Sequence, residues 1–439
     1  MPIWNRIAII GLASLPFLAW PAIALAEGPD GGPVSAGDTA WVLGSASLVM
    51  LMTPALAFFY GGMVRQKNAL ATLMQSFVII ALISIQWVLW GYSLAFGPDV
   101  GGIIGNLDWV GLNGVGLTPN PAYAPTIPHQ AFMMFQGMFA IITPALITGA
   151  FAERIKFKSF LIFVLIWATL VYDPVAHWVW GTGGWLRELG ALDFAGGAVV
   201  HITSGVGALA AAMVVGRRSG VDEGAGAPHD ITMIVFGAGF LWFGWFGFNA
   251  GSAVASGALA TSAFVVTNTA AAMGALVWMT LSWAFSGKPS VIGTVSGAIA
   301  GLAAVTPASG YVTPMGAIMI GLVAGVLCYF AVRLRARSSV DDSLDVWGVH
   351  GVGGTWGVLA IGLFATLAVN SAGANGLFYG SSQQLLIQAL TVVVLWGYSF
   401  VATFVILKVV DFFFGLRVAE HEEAEGLDLS QHGEAAYNI

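Results

Sequence analysis

The feature that most constrains this chain is a succession of long apolar segments that carry almost no charge. Only 8% of its 439 residues are charged and 58% are hydrophobic, whereas soluble proteins carry roughly 25% charged residues. Inside lipid every backbone N–H and C=O must find a partner within the protein, so only helices and closed barrels can cross. The apolar runs are continuous and too long for the alternating strands of a barrel. The chain is therefore read as an all-α polytopic membrane protein. Eleven spans are expected, at 41–63, 70–96, 129–151, 159–180, 194–216, 231–253, 257–285, 291–306, 314–334, 347–369 and 383–411. Several exceed the ~20 residues that a straight crossing needs. The 58 glycines suit close helix packing.

The N-terminus reads as a signal peptide over residues 1–26. Arg6 supplies the positive start, IAIIGLASLPFLAW the apolar stretch, and Ala24-Leu25-Ala26 a small-residue cleavage site. A first transmembrane helix is the other reading, but Pro16, Pro21 and the polar stretch after them favour cleavage. The spans then form a domain over 27–414, followed by an acidic tail at 415–439. Basic residues set the orientation. Arg65, Arg154, Arg217, Lys288, Arg333 and Arg417 follow or end odd-numbered spans, and only Arg187 falls on the opposite side. By the positive-inside rule the mature N-terminus lies outside and the C-terminus in the cytoplasm. The lone Cys328 excludes an internal disulfide.

Two histidines lie within apolar, glycine-rich spans: His201 in the fifth and His350 in the tenth. Ionisable groups at that depth are costly and mark function, and imidazole exchanges protons near neutral pH. Asp193 lies eight residues before the first and Asp345 five before the second. A five-helix unit is odd, so a second copy must be inverted, and such repeats place a shared site near the midplane. At ~1.5 Å per residue His201 lies about 12 Å inward from Asp193 and His350 about 7.5 Å outward from Asp345, so the two rings meet near the centre. From the residues alone, either histidine could equally be structural. Together they could ligate zinc, but no cysteine or third ligand accompanies them, so no metal is expected.

The segments DFAGGAVVHITSGVGALAAAMVVGRR, GWFGFNAGS, SGAIAGLAAVTPASGY and DVWGVHGVGG resemble the ammonium transporters, the Amt/Mep/Rhesus superfamily. So do FYGGMVRQKN, MFQGMF and the tail GLDLSQHGEAAYNI. The match covers the mature chain and is of bacterial Amt type, which puts the protein in a bacterial inner membrane. The resemblance implies eleven helices in two inverted five-helix repeats plus a final helix, and a homotrimer with one pore per subunit. Ammonium or ammonia and membrane lipid are then the partners; no cofactor or nucleic acid is expected.

An ammonium pore must reject potassium, which matches its substrate in charge and size. Burying an unpaired ion costs tens of kcal/mol in the idealised limit, but ammonium can shed a proton and cross neutral. By resemblance, Trp180, Phe139, Ser252 and Thr306 form an outer recruitment site, where aromatic faces attract a cation by ~0.5–2 kcal/mol each. Trp180 could also be an interfacial belt residue, and Ser252 and Thr306 could be packing or capping residues. Phe139 and Phe248 match a stacked gate, with Phe135 and Trp245 nearby. His201 and His350 match the twin pore histidines, which relay the abstracted proton. Asp193 and Asp345 take structural or electrostatic roles at the starts of their helices, by capping or by tying down loop amides. The remaining histidines, His129, His177, His229, His421 and His432, read as ordinary interfacial or solvent residues. The tail implies docking of a PII-type signalling protein. The rivals are a Rhesus-type passive NH3/CO2 channel, an ammonium sensor, against which the short tail argues, and an intramembrane enzyme, for which no nucleophile or metal set is present. The Pro-rich loop GLTPNPAYAPTIPH belongs to no motif.

Overall fold

The computed structural model describes residues 33–220 and 228–437. The expected signal peptide lies outside the described residues. Ten helices are long and apolar enough to cross a membrane. They are α1 (Ala36–Met63), α2 (Gln66–Phe96), α3 (His129–Phe151), α4 (Phe157–Glu188), α5 (Gly197–Val215), α6 (Ile231–Gly251), α7 (Ala258–Ser286), α8 (Val291–Ala308), α9 (Pro314–Ala336) and α11 (Ser382–Phe414). Between the last two runs α10, a π-helical turn Trp347–Gly351 continuing as Val352–Phe364. It falls outside the ten because His350, two tryptophans and six glycines dilute its apolar residues.

Local chemistry sets the helix starts. The hydroxyl of Ser35 accepts from the Asp38 amide at the head of α1. Asp230, Ser290 and Thr313 do the same for α6, α8 and α9 through the amides of Met233, Gly293 and Gly316. Each satisfies a donor that has no partner within the helix. Pro314 occupies the first position of α9, where its missing N–H costs nothing. Helices α2, α4, α5 and α10 each contain a π-helical stretch, a form that recurs at functional sites and turns side chains onto a new face.

One end of the bundle is covered by two short hairpins, Asp99–Val100 with Ile104–Gly105 and Pro119–Asn120 with Ala124–Pro128. The second is built from the Pro-rich loop that the sequence left unassigned. The other end gathers the basic residues into ion pairs. Arg218 binds Asp341 through two nitrogens at 2.9 Å, Arg65 binds Glu153 at 2.6 Å and Arg417 binds Glu423 at 2.7 Å. The fully buried Arg154 donates to the carbonyls of Ala150, Ala152, Gly216 and Asp341. The tail docks here. Asp428 accepts from the amides of Leu70 and Ala71 at the start of α2, and the Leu427 amide donates to Asn68 at 2.8 Å.

Candidate functional site

The core of the site is the crossing of α5 and α10. These helices approach backbone to backbone: a Cβ on Gly205 would lie 2.1 Å from the Gly351 nitrogen, and one on Gly354 would lie 2.8 Å from the His201 Cβ. Only glycine permits that approach, a small-residue device of membrane helices. As a result His201 and His350, 149 positions apart, face each other with their Nδ1 atoms 3.2 Å apart and their rings nearly parallel at 19°. In such a contact one Nδ1 donates and the other accepts. The donor ring keeps a bare lone pair on Nε2, and the acceptor ring an N–H there. The pair thus presents one acceptor and one donor. His201 Nε2 is buried with no hydrogen-bond partner among the described residues.

Aromatic rings continue the line. The His201 ring lies over Trp245 at 5.5 Å and Phe248 at 6.0 Å. Phe248 meets Phe139 at 4.4 Å, and Phe139 meets Phe135 at 5.0 Å and Trp180 at 5.9 Å. Trp245 is held by its Nε1 donating to Thr306 Oγ1 at 2.8 Å. Thr306, expected at the outer site, is buried and holds the Trp245 ring; it is not in the wall of the cavity that Trp180 and Ser252 line. Ser252 donates to the Phe248 carbonyl at 2.8 Å, which leaves its oxygen lone pairs free to accept.

Three cavities lie along this line. A vestibule of about 150 Å³ is walled by Phe139, Trp180 and Ser252. A void of about 10 Å³ lies against His201, His350, Trp245 and Phe248; one water needs ~10–15 Å³, so this space takes a single small molecule at most. A wide cavity of about 500 Å³ begins at His350 and opens among Arg218, Arg335 and Asp345 at the tail end. Phe139 with Phe248 separates the first from the second, and His350 borders both the second and third.

Asp193 heads α5. Its carboxylate accepts four amides, those of Gly196, Gly197, Ala198 and Val199, at 2.8–3.0 Å. Burial pushes the carboxyl up to about 6, against the four amides that hold it down. Its backbone carbonyl accepts the Trp180 indole at 2.8 Å, which orients that ring. The expectation that Asp345 serves α10 in the same way is corrected. The Trp347 amide donates to Asp342 at 2.7 Å, while Asp345, in a left-handed conformation with φ 59°, pairs with Arg335 at 2.6 Å. Asp342 lies eight residues before His350, the spacing of Asp193 to His201; that repeat is the signal by which it could have been found.

Other residues escaped the sequence reading. Gln136 and Tyr123 line the vestibule, and Gln136 Oε1 is buried without a partner. Asp173 is wholly buried in α4, where Gln86 Nε2 donates to it at 2.7 Å. His129 and His177, read as interfacial or solvent residues, are buried and bonded, to Tyr92 at 2.6 Å and Asp99 at 2.9 Å. Cys328 is packed away. Among the described residues no group of three or more metal-ligating side chains occurs.

Fold and site together define a polytopic helical membrane protein with three cavities in line along its buried aromatic and histidine rings. A model of the Ammonium Transporter Family matches residues 40–437, and the chain belongs to that family. It is 54% identical to an ammonium transporter of Bacillus subtilis over 91% of this chain and 98% of the relative. It is 50% identical to ammonium transporter Amt1 of Archaeoglobus fulgidus over 92% of this chain and all of the relative. The crystal structure of Mep2 from Candida albicans superposes with a TM-score of 0.84 at 39% identity, covering 92% of this chain and 91% of that one. Both relatives are named as transporters, not enzymes.

Proposed function

We propose that this protein carries ammonium nitrogen across a bacterial inner membrane. Ammonium is recruited in the vestibule by the faces of Trp180 and Phe139 and by the oxygens of Ser252 and Gln136. It passes the Phe139–Phe248 gate, gives up its proton at or before His201 and His350, which take the proton onto a separate relay, and crosses as ammonia. The reasons are electrostatic. A cation in the void beside His201 would lose its water and meet only apolar walls and two imidazoles, at a cost that removal of the charge avoids. Potassium has no proton to give up. The observation that carries the reading is the 3.2 Å contact between the two Nδ1 atoms beside a void of about 10 Å³.

In this reading α10 also crosses, which brings the number of crossings to eleven; α1–α5 and α6–α10 are inverted repeats, and α11 is the final helix. Residues 1–26 are removed as a signal, and 27–414 form the transporter. The tail at 415–439 is cytoplasmic, because positive charge collects at that end. Three copies assemble, and a PII-type protein docks on the cytoplasmic face.

The test is current and flux in proteoliposomes given ammonium or potassium pulses. Ammonium current with no potassium current is expected, and His201→Asp or His350→Asp should admit potassium. Unchanged discrimination in both variants would remove the relay. Flux without current would make the protein a passive gas channel, and absence of both would favour a sensor.

A further inference from the structure

The vestibule that would collect a cation carries a positive charge in its own wall. Arg187 lies in the short turn Trp185–Glu188 at the end of α4 and lines the same cavity as Trp180, Gln136 and Ser252. Its Nη1 donates to the Trp180 backbone carbonyl at 2.6 Å. The guanidinium is thereby tethered to the residue whose ring forms a wall of the site. Among the described residues no carboxylate forms an ion pair with it. The other lysines and arginines among the described residues sit on helix ends and loops at the tail end. The acids around it are Glu188, adjacent and exposed, Asp193, whose carboxylate accepts four amides, and Asp99, which is bonded to His177 and whose charge reaches Tyr123 in the same wall, as that of Arg187 does.

A vestibule built only to attract ammonium would leave this position neutral or acidic. We infer that Arg187 is a specificity-determining residue of the vestibule, which weakens capture of the cation and favours the neutral permeant. The inference rests on the recruitment reading given above. Its physical basis is simple. Charges within a Debye length, ~10 Å at 0.1 M salt, still feel one another. Repulsion at such range shifts a binding constant by roughly two- to tenfold. The repulsion acts on ammonium and not on ammonia, so the charge that weakens capture also assists loss of the proton. The tether to Trp180 keeps the guanidinium at a set distance from the aromatic face.

The experiment is the concentration dependence of initial ammonium flux into proteoliposomes, at about 20 mM and about 300 mM of a non-permeant salt. Wild-type KM should fall as salt rises. Arg187→Gln should lower KM roughly two- to tenfold at low salt and lose that salt dependence, while Arg187→Lys stays close to wild type. A merely structural Arg187, needed to hold Trp180, predicts the opposite sign: KM would rise in Arg187→Gln. A KM unchanged or raised in Arg187→Gln overturns the inference, provided Trp180→Leu raises KM. If Trp180→Leu also leaves KM unchanged, the recruitment site itself is withdrawn and the inference falls with it.

Discussion

The heads of α5 and α10 do the same task by different means. Each begins with a π-helical turn that aims a histidine at the other, and each follows an aspartate eight positions ahead of that histidine. At α5 one carboxylate takes four amides and, among the described residues, forms no ion pair. At α10 the work is divided. Asp342 takes the Trp347 amide, Asp341 holds the preceding loop through Arg218, and Asp345 reaches Arg335. The difference follows from the surroundings. The α5 head sits beneath Trp180, whose indole donates to the Asp193 carbonyl. The α10 head opens into a wide cavity among arginines, where charge can be shared. A single carboxylate with four bonds is a single point of failure; a distributed anchor is not.

The largest effect should come from Asp193→Ala. It strands four amides that are buried, at ~1–3 kcal/mol each before any relaxation. We expect a loss of at least about 4 kcal/mol, seen as collapse of the monodisperse peak and of the melting transition in detergent; a wild-type melting curve would break the comparison at its root. Asp342→Ala strands fewer donors and should cost roughly 1–3 kcal/mol in the same melting assay. Equal losses at the two aspartates would show that bond count does not set the order.

Acid should probe the α10 anchor separately. Burial pushes the Asp341 carboxyl up, but the Arg218 hydrogen bond and the charges of Arg154 and Arg218 outweigh it and hold the carboxyl down at about 2. A folded value below the ordinary 3.8 means that its stabilisation is complete above pH ~4 and is lost as pH falls towards ~2. The loss should be about 2 kcal/mol in wild type and much smaller in Arg218→Gln, measured by melting across that range. The smallest effect belongs to Asp345→Asn. The Arg335–Asp345 pair is partly open to the cavity, with Asp345 29% exposed, so we expect under about 1 kcal/mol. A loss exceeding that of Asp342→Ala would restore Asp345 as the counterpart of Asp193.

Much of this was legible beforehand for a physical reason. Apolar runs report lipid burial directly, so the helices and their order were readable from periodicity and length. Most span ends fell within a few residues of the helix ends; α1 starts at Ala36 rather than 41, α4 ends at Glu188 rather than 180, and α10 ends at Phe364 rather than 369. His201 and His350 stood out because charge-bearing groups are rare within such runs. Asp342 is harder to read than Asp345 because Asp345 lies nearer to His350, and only the repeated spacing of eight singles Asp342 out. Gln136, Tyr123 and Arg187 were not legible. A glutamine in a helix, a tyrosine in a loop and an arginine at a helix end become one wall only when the Pro-rich hairpin folds over the helix ends. Asp173 was missed because its partner Gln86 lies on another helix.

The sequence alone determined that the chain must cross a membrane as helices, and which rare ionisable groups are carried into lipid, since an unpaired backbone or charge in hydrocarbon leaves few alternatives. Only the tertiary structure decided that Gly205 and Gly351 let two backbones touch, which brings two distant imidazoles to 3.2 Å. Close approach depends on the shapes of both helices at once, and neither segment encodes it by itself.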